Sequence, residues 1–408
     1  MITNRIRTLA AECDKKLIDV FKTIDDTAYK NTERIMNIFK EERVSVMHFN
    51  PSTGYGYNDD GRDTADRLFA KALGCEDGFV RHNIISGTHA ITIGLFGILR
   101  PGDTMLSVTG KPYDTLESVI GFKNEPGSLA DFGIKYEDIP LIDNNYLDMD
   151  KIKNRLKSGG VKMVYVQRSK GYLNRRTLTA NEITELYYAV KEICDAYVFV
   201  DNCYGEFTAL TEPKADILAG SLIKNPGGGM AENGGYIVGT KKAVELAATR
   251  LSVPGIGAEA GASLGNTKNI IKGLFYAPHT VANALKTAHF AALLFKELGY
   301  NVSPEPFELR EDIIQIILLQ NSDNLLKFCQ GIQEGSPIDS FATPIPDDMP
   351  GYNDKVVMAA GTFVQGASIE LSADAPLRPP YQVYMQGGLT YESGKYGVMT
   401  AASKIICD

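Results

Sequence analysis

Three features of this 408-residue sequence predict an α/β protein with a mostly parallel sheet. From about residue 83 onward, short apolar runs alternate with helical patterns, the order of a strand–helix–strand chain. The run at 197–200 (YVFV) is apolar at every position, as a strand covered on both faces requires. The helical segment at 179–196 carries its own start signal. There Thr179 and Glu182 form a T-x-x-E capping box, and Ile183, Leu186, Tyr187, Val190, Ile193 and Cys194 follow on one face.

The elements follow in order. Residues 1–50 read as a helical arm, with apolar positions at mixed three- and four-residue spacing through LIDVFKTIDDTAYKNTERIMNIFKEERV. The arm is amphipathic and shows no partner of its own, so it is expected to wrap a second subunit. NPSTGYGYNDDGRD at 50–63 is a loop, dense in Gly, Asn, Asp and Tyr. A large domain is expected over 51–280. NIIS at 83–86 reads as its first strand and THAITIGLFGIL as a buried helix. TMLSV is then a strand, TLESVIGF a helix, VKMVYV a strand, and ADILAGSLIK and GGYIVG follow YVFV. A smaller α+β domain is expected over 281–408. It opens on the long helix VANALKTAHFAALLFKELGY and continues through REDIIQIILL, DNLLKFCQGIQ and GASIELS.

Composition narrows the function classes. Hydrophobic residues make up 44% and charged residues 23%, the balance of a globular protein. A net charge of -8 argues against a nucleic-acid partner, which calls for a basic surface. The longest apolar stretches are too short to span a bilayer, and the N-terminal segment has charges where a signal peptide needs an unbroken apolar core. Cys13, Cys75, Cys194, Cys203, Cys329 and Cys407 form no C-x-x-C pair. The five histidines show no metal-ligand spacing. A reduced, cytoplasmic protein without a protein-ligated metal is expected.

In open α/β sheets ligands bind beyond the carboxyl ends of the strands. Four segments place polar residues there: Ser86-Gly87-Thr88 at a helix start, Gln167-Arg168-Ser169, Asp201 and Lys224. A helix N-terminus offers free N–H groups and a positive dipole to a phosphate. A buried carboxylate pairs with a pyridinium nitrogen, and a lysine amine takes an aldehyde. Together these are the three attachments of pyridoxal 5'-phosphate. Ser221 adds a hydroxyl for the phosphate. The glycine run after Lys224 is expected to let the backbone approach the cofactor ring.

The order of these motifs resembles the fold-type-I pyridoxal-phosphate enzymes of the cystathionine/methionine γ-lyase group. The closest likeness is to the methionine γ-lyase-like branch, the aluminium-resistance carbon–sulfur lyases. It is carried by GYGYNDDGRDT, SGTHA, GKPYDTL, QRSKGY, VDNCYGEF and FVQGASIELSAD, over roughly residues 50–400. The resemblance implies that Tyr113 stacks on the ring and moves protons, and that Tyr55 or Tyr57 reaches the phosphate of a neighbouring subunit in a homodimer or homotetramer. It implies a carbon–sulfur lyase releasing a thiol, a 2-oxo acid and ammonia from a sulfur amino acid. An aminotransferase or aldolase, or a non-catalytic protein of the same fold, is the alternative. Two departures stand out. Ile223 replaces the threonine that precedes the lysine in the group's S-x-T-K motif. VYMQGG lacks the group's carboxylate-binding arginine, for which Arg378 is the substitute candidate and Arg168 its rival. Cys203 and Tyr204 are expected to pack behind the cofactor. Burial and a cationic cofactor are expected to lower the pKa of Lys224.

Overall fold

A computed structural model describes residues 1–349 and 354–406; Cys407 lies outside the described residues. The chain builds two sheets. The larger has seven strands: β1 (Asp77–Arg81), β2 (Thr104–Ser107), β3 (Lys135–Asp138), β4 (Val161–Gln167), β5 (Tyr197–Asp201), β6 (Ile217–Ser221) and β7 (Gly235–Gly239). Their order is β1-β7-β6-β5-β4-β2-β3, and only β7 runs against its neighbours. The helices are α1 (Asn4–Lys16), α2 (Ile18–Glu41), α3 (Asp60–Ala72), α4 (Gly87–Ile98), α5 (Asp114–Ile120), α6 (Met149–Lys157), α7 (Ala180–Ile193), α8 (Lys241–Leu251), α9 (Thr267–Glu297), α10 (Ser322–Glu334) and α11 (Tyr391–Ile406).

The apolar strands are explained by burial on both faces. In β5, Val198 and Val200 join the core under α3, α7 and α9, whereas Phe199 points to the core under α4 and α8. In β4, Val164 and Val166 split from Met163 and Tyr165 in the same way. The capping box at the start of α7 forms as expected: the Thr179 hydroxyl accepts from the Glu182 N–H at 3.2 Å, and the Glu182 carboxylate accepts from the Thr179 N–H at 2.9 Å.

The smaller sheet is antiparallel, in the order β10-β11-β12-β9-β8, from β8 (Asn301–Ser303), β9 (Gln315–Leu318), β10 (Val356–Ala359), β11 (Ser372–Pro376) and β12 (Gln382–Gln386). One face packs on α1, α10, α11 and the end of α9. The other face carries Ile314, Ile316 and Tyr384 against Tyr172 and Tyr204 of the large domain.

Four readings of the sequence change. The first strand is Asp77–Arg81, not 83–86, which turns; Ile84 is buried there and Ile85 is 70% exposed. Within GASIELS only Ser372 enters a strand, and that strand runs on to Pro376. The long helix begins at Thr267 and carries Pro278 inside it, so it runs unbroken across the expected boundary at 280. The arm, read as having no partner of its own, packs on its own chain. Ile6, Ala10, Cys13 and Leu17 enter the small-domain core, Lys16 pairs with Glu297 at 2.6 Å, and Asp25 pairs with Lys286 at 2.5 Å. No described helix is long and apolar enough to cross a membrane. Among the described residues no group of His, Cys, Asp or Glu is arranged to hold a metal, and the five described cysteines are free.

Candidate active site

The carboxyl ends of β4, β5 and β6 converge on one cavity. Ser86, Gly87, Thr88, Tyr113, Asp201, Ser221 and Lys224 all line it. Ser86 caps α4, its hydroxyl accepting from the His89 N–H at 3.0 Å. The Gly87 and Thr88 N–H groups precede the first helical hydrogen bond and face no intrahelical acceptor. A Cβ on Gly87 would stand 3.1 Å from the Cys203 sulfur and 3.4 Å from the Ser221 Cβ. Glycine there lets the helix start close down on the ends of β5 and β6.

Asp201 ends β5 and is buried; its Oδ1 accepts from the Cys203 N–H at 3.1 Å. Burial pushes its carboxyl up, and Lys224 pulls it back. The Lys224 Nζ sits 4.0 Å over the centre of the Tyr204 ring. Burial pulls the Lys224 ammonium down, but Cys203, Tyr204 and Asp201 push it up, and the balance is upward. Burial thus lowers the amine as expected, and the acidic neighbours that come with it outweigh that lowering. Tyr204 adopts φ 72°, a left-handed turn that is uncommon for a side-chain-bearing residue. Asn225, next to Lys224, holds that turn by donating to the carbonyls of Tyr204 and Glu206, both at 2.9 Å.

The glycine run has a different purpose from the one expected. A Cβ on Gly227 would fall 1.6 Å from the Leu222 carbonyl oxygen, and one on Gly228 would fall 2.3 Å from the Gly273 oxygen in α9. These glycines key the lysine's loop into its own turn and into α9, rather than clearing space for a ring.

Tyr113 is fixed from two sides. Its N–H donates to Gln167 Oε1 at 2.7 Å, and its ring meets Tyr172 edge-on at 5.7 Å. Tyr172 in turn packs on Tyr384 at 4.7 Å and hydrogen-bonds Asp374, a second, half-buried carboxylate in the cavity. The sequence reading did not single out Tyr172, Asp374 or Tyr384. Asp374 closes the FVQGASIELSAD motif and Tyr172 closes QRSKGY, which were the available signals; that Tyr172 meets Tyr384 is decided only by the fold.

The two arginines separate. Arg168 is fully buried and does not line the cavity. It donates to Asn202 at 2.8 Å, Glu311 at 2.9 Å and Glu212 at 3.1 Å. The rival to Arg378 therefore has its guanidinium committed to two carboxylates. Arg378 is half exposed and pairs with Asp354 at 2.6 Å, in a cleft that shares Tyr172 and Val356 with the site. Tyr55 and Tyr57 stack on each other at 5.8 Å and are 78% and 55% exposed; neither lines this chain's cavity. Their loop is pinned by the buried Arg62, which donates to the carbonyls of Gly56 at 2.6 Å and Gly261 at 3.1 Å.

The residues present fit a pyridine aldehyde phosphate. A helix start and the hydroxyls of Ser86, Thr88 and Ser221 suit a phosphate, Asp201 is an acid suited to a ring nitrogen, and the Tyr165 hydroxyl is buried on the cavity wall with no protein partner. This is the frame of the fold-type-I pyridoxal 5'-phosphate enzymes, and pyridoxal 5'-phosphate is the cofactor. The chain belongs to the methionine gamma-lyase family of lyases, whose profile matches residues 6–406. The Bacillus subtilis (strain 168) protein YnbB is 47% identical over 98% of this chain and 96% of its own. A crystal structure of the carbon-sulfur lyase involved in aluminum resistance from Clostridium novyi NT is 45% identical. It superposes with a TM-score of 0.96, covering 99% of this chain and 97% of that one. At 14% identity and a TM-score of 0.62, the pyridoxal-5'-phosphate dependent protein YhfS from Escherichia coli shares the fold over 93% of this chain and 97% of its own.

Proposed function

We propose that this chain is a carbon–sulfur lyase. It would eliminate a thiol from a sulfur amino acid of the cystathionine or methionine type and release a 2-oxo acid and ammonia. One observation carries the reading: Lys224, Asp201 and Tyr113 share a cavity whose remaining wall sets the rings of Tyr172, Tyr204 and Tyr384 and the side chain of Ile314 beside the polar Gln167, Ser169, Asp374 and Gln386. The aromatic faces suit a thioether, and the polar groups suit the amino-acid end.

When bound, pyridoxal 5'-phosphate supplies an electron sink for a carbanion at the substrate Cα. Lys224 is the lysine lining the cavity among the described residues, so it would hold the aldehyde and its amine would take the Cα proton. Asp201 holds a proton on the ring nitrogen. Ser86, Gly87, Thr88 and Ser221 hold the phosphate. Tyr113, fixed by Gln167 and Tyr172, delivers a proton to the departing sulfur. Arg378 exchanges Asp354 for the substrate carboxylate. Tyr55 and Tyr57, pinned outward by Arg62, complete the phosphate site of a second subunit.

The test is a panel of sulfur amino acids scored for thiol, ammonia and 2-oxo acid. All three are expected in equal amounts. A 2-oxo acid that appears only with an added keto acid acceptor would make the protein an aminotransferase. No turnover of any amino acid would make it a binding protein.

A further inference from the structure

A second cavity opens beside the first, with a different lining. Lys170 and Arg175 line it, whereas Ser169 and Gly171 of the same segment line the lysine's cavity. Arg310 and Asp312 reach it from the stretch before β9. Its floor is cationic: Lys170, Arg175 and Arg310 are 1%, 6% and 5% exposed. None of the three guanidinium nitrogens of Arg310 has a hydrogen-bond partner, although all three are buried. Arg175 spends Nη1 and Nη2 on the carbonyls of Arg176, Gln167 and Ser169 but leaves its Nε unpaired.

These three cations face one comparably buried acid. Asp312 already accepts from the hydroxyls of Ser169 and Thr177 and from the Ile314 N–H, and it stands 4.0 Å from the Lys170 ammonium. Glu311 is bound to Arg168, and Glu308 is exposed. A guanidinium taken out of water without hydrogen bonds is strongly unfavourable, and an excess of buried positive charge adds to the cost. Its charge is felt nearby: burial, then Arg310, lowers His289 to about 3. Burial pushes Arg310 itself down to about 10. An anion would remove the burden, and the planar fork of an arginine matches oxygens in pairs.

We propose that this cavity binds a small oxyanion, a phosphate or a carboxylate, between Arg310 and Lys170. The site lies against the support of the active site, because Arg175 Nη2 holds the Gln167 carbonyl at 2.7 Å while the Gln167 side chain holds Tyr113.

The test is calorimetric titration of the cofactor-loaded protein, whose own phosphate cradle is then filled, with inorganic phosphate and with malonate at constant ionic strength. Saturable binding of one equivalent per chain is expected for at least one anion, at least tenfold weaker in both Arg310→Gln and Lys170→Gln. The cofactor absorbance should stay unchanged. Binding of phosphate alone marks a phosphate ligand, and binding of malonate marks a carboxylate. No saturable binding of either anion, or equal binding in both variants, overturns the proposal. If Arg310→Gln does not fold, a crystal structure of the wild-type protein with the bound anion decides. Density within hydrogen-bond reach of the Arg310 guanidinium supports the site, and an anion seated only elsewhere overturns it.

Discussion

Replacing Arg168 with methionine should destabilise the fold and leave substrate affinity intact. The side chain is fully buried and holds Glu311 at 2.9 Å and Glu212 at 3.1 Å, with Asn202 at 2.8 Å. Methionine keeps much of the volume but removes the positive charge with which both acids pair, and Glu212 is itself 2% exposed at its side chain. Removing one partner of a buried ion pair costs about 3–5 kcal/mol, because the other is left as an unpaired charge. At about 1.4 kcal/mol per tenfold, that is a loss of two to nearly four orders of magnitude in the folding equilibrium. The assay is urea unfolding of the cofactor-loaded protein, read alongside KM for thiol release. The urea midpoint should fall clearly while KM stays within twofold. Adding Glu311→Gln should recover part of the loss, since the two residues share one interaction. An unchanged midpoint with a KM raised tenfold would refute this reasoning and make Arg168 the residue that grips the substrate.

Borohydride reduction followed by peptide mapping should place the pyridoxyl group on Lys224, and Lys224→Ala should abolish turnover; the label on another lysine would break the site assignment. Arg378→Ala should cost about 2–4 kcal/mol in kcat/KM, whereas Asp354→Ala, which frees the guanidinium from its 2.6 Å pair, should not raise KM; unchanged kinetics in Arg378→Ala would remove it from substrate binding. Lys224→Ala and the Tyr55/Tyr57 double variant should each be inactive, and co-refolding should restore part of the activity; heterodimers that stay dead would exclude a shared site. Burial raises Glu206 from 4.5 to about 8, so this group favours the fold below about pH 4.5 and its contribution is lost as pH rises through 8. Glu206→Gln should therefore gain on the wild type in urea midpoint between pH 5 and pH 8, and a constant difference across that range would contradict the buried, neutral acid.

What could be read from the sequence depended on how local the cause was. β5 was legible because covering both faces demands apolar residues at every position, and α7 because its cap is written within four residues. The cavity was legible because strand ends are where ligands gather, and Asp201, Lys224 and the α4 start do line one cavity. β1 was missed because it ends on Arg81, which is buried by pairing with Asp66 at 2.5 Å and donating to the Ala258 carbonyl at 3.0 Å, partners no local pattern shows. β3 was missed because its residues, KYED, sit on an edge and carry charge. The start of α9 was hidden by Gly273 and Pro278, both poor helix residues in isolation. The arm's partners, the commitment of Arg168 to Glu311, and the bare guanidinium of Arg310 arise between segments far apart in the chain. No spacing within one segment encodes them.

The close approach of Gly273 to the lysine's loop matters to anyone who sets out to harden this protein. A stabilisation campaign looks for glycines inside long helices, because alanine there ordinarily gains up to about 1 kcal/mol. Gly273 meets that criterion and lies well outside any search radius drawn around named active-site residues by sequence position. Yet a methyl group on it would land 2.3 Å from the Gly227 carbonyl, in the loop that carries Lys224. Helix and loop would have to part, and the Lys224 amine would move with the loop. The substitution would look conservative on paper and behave as an active-site lesion, so residues 227, 228 and 273 belong on the same do-not-touch map as Lys224 itself.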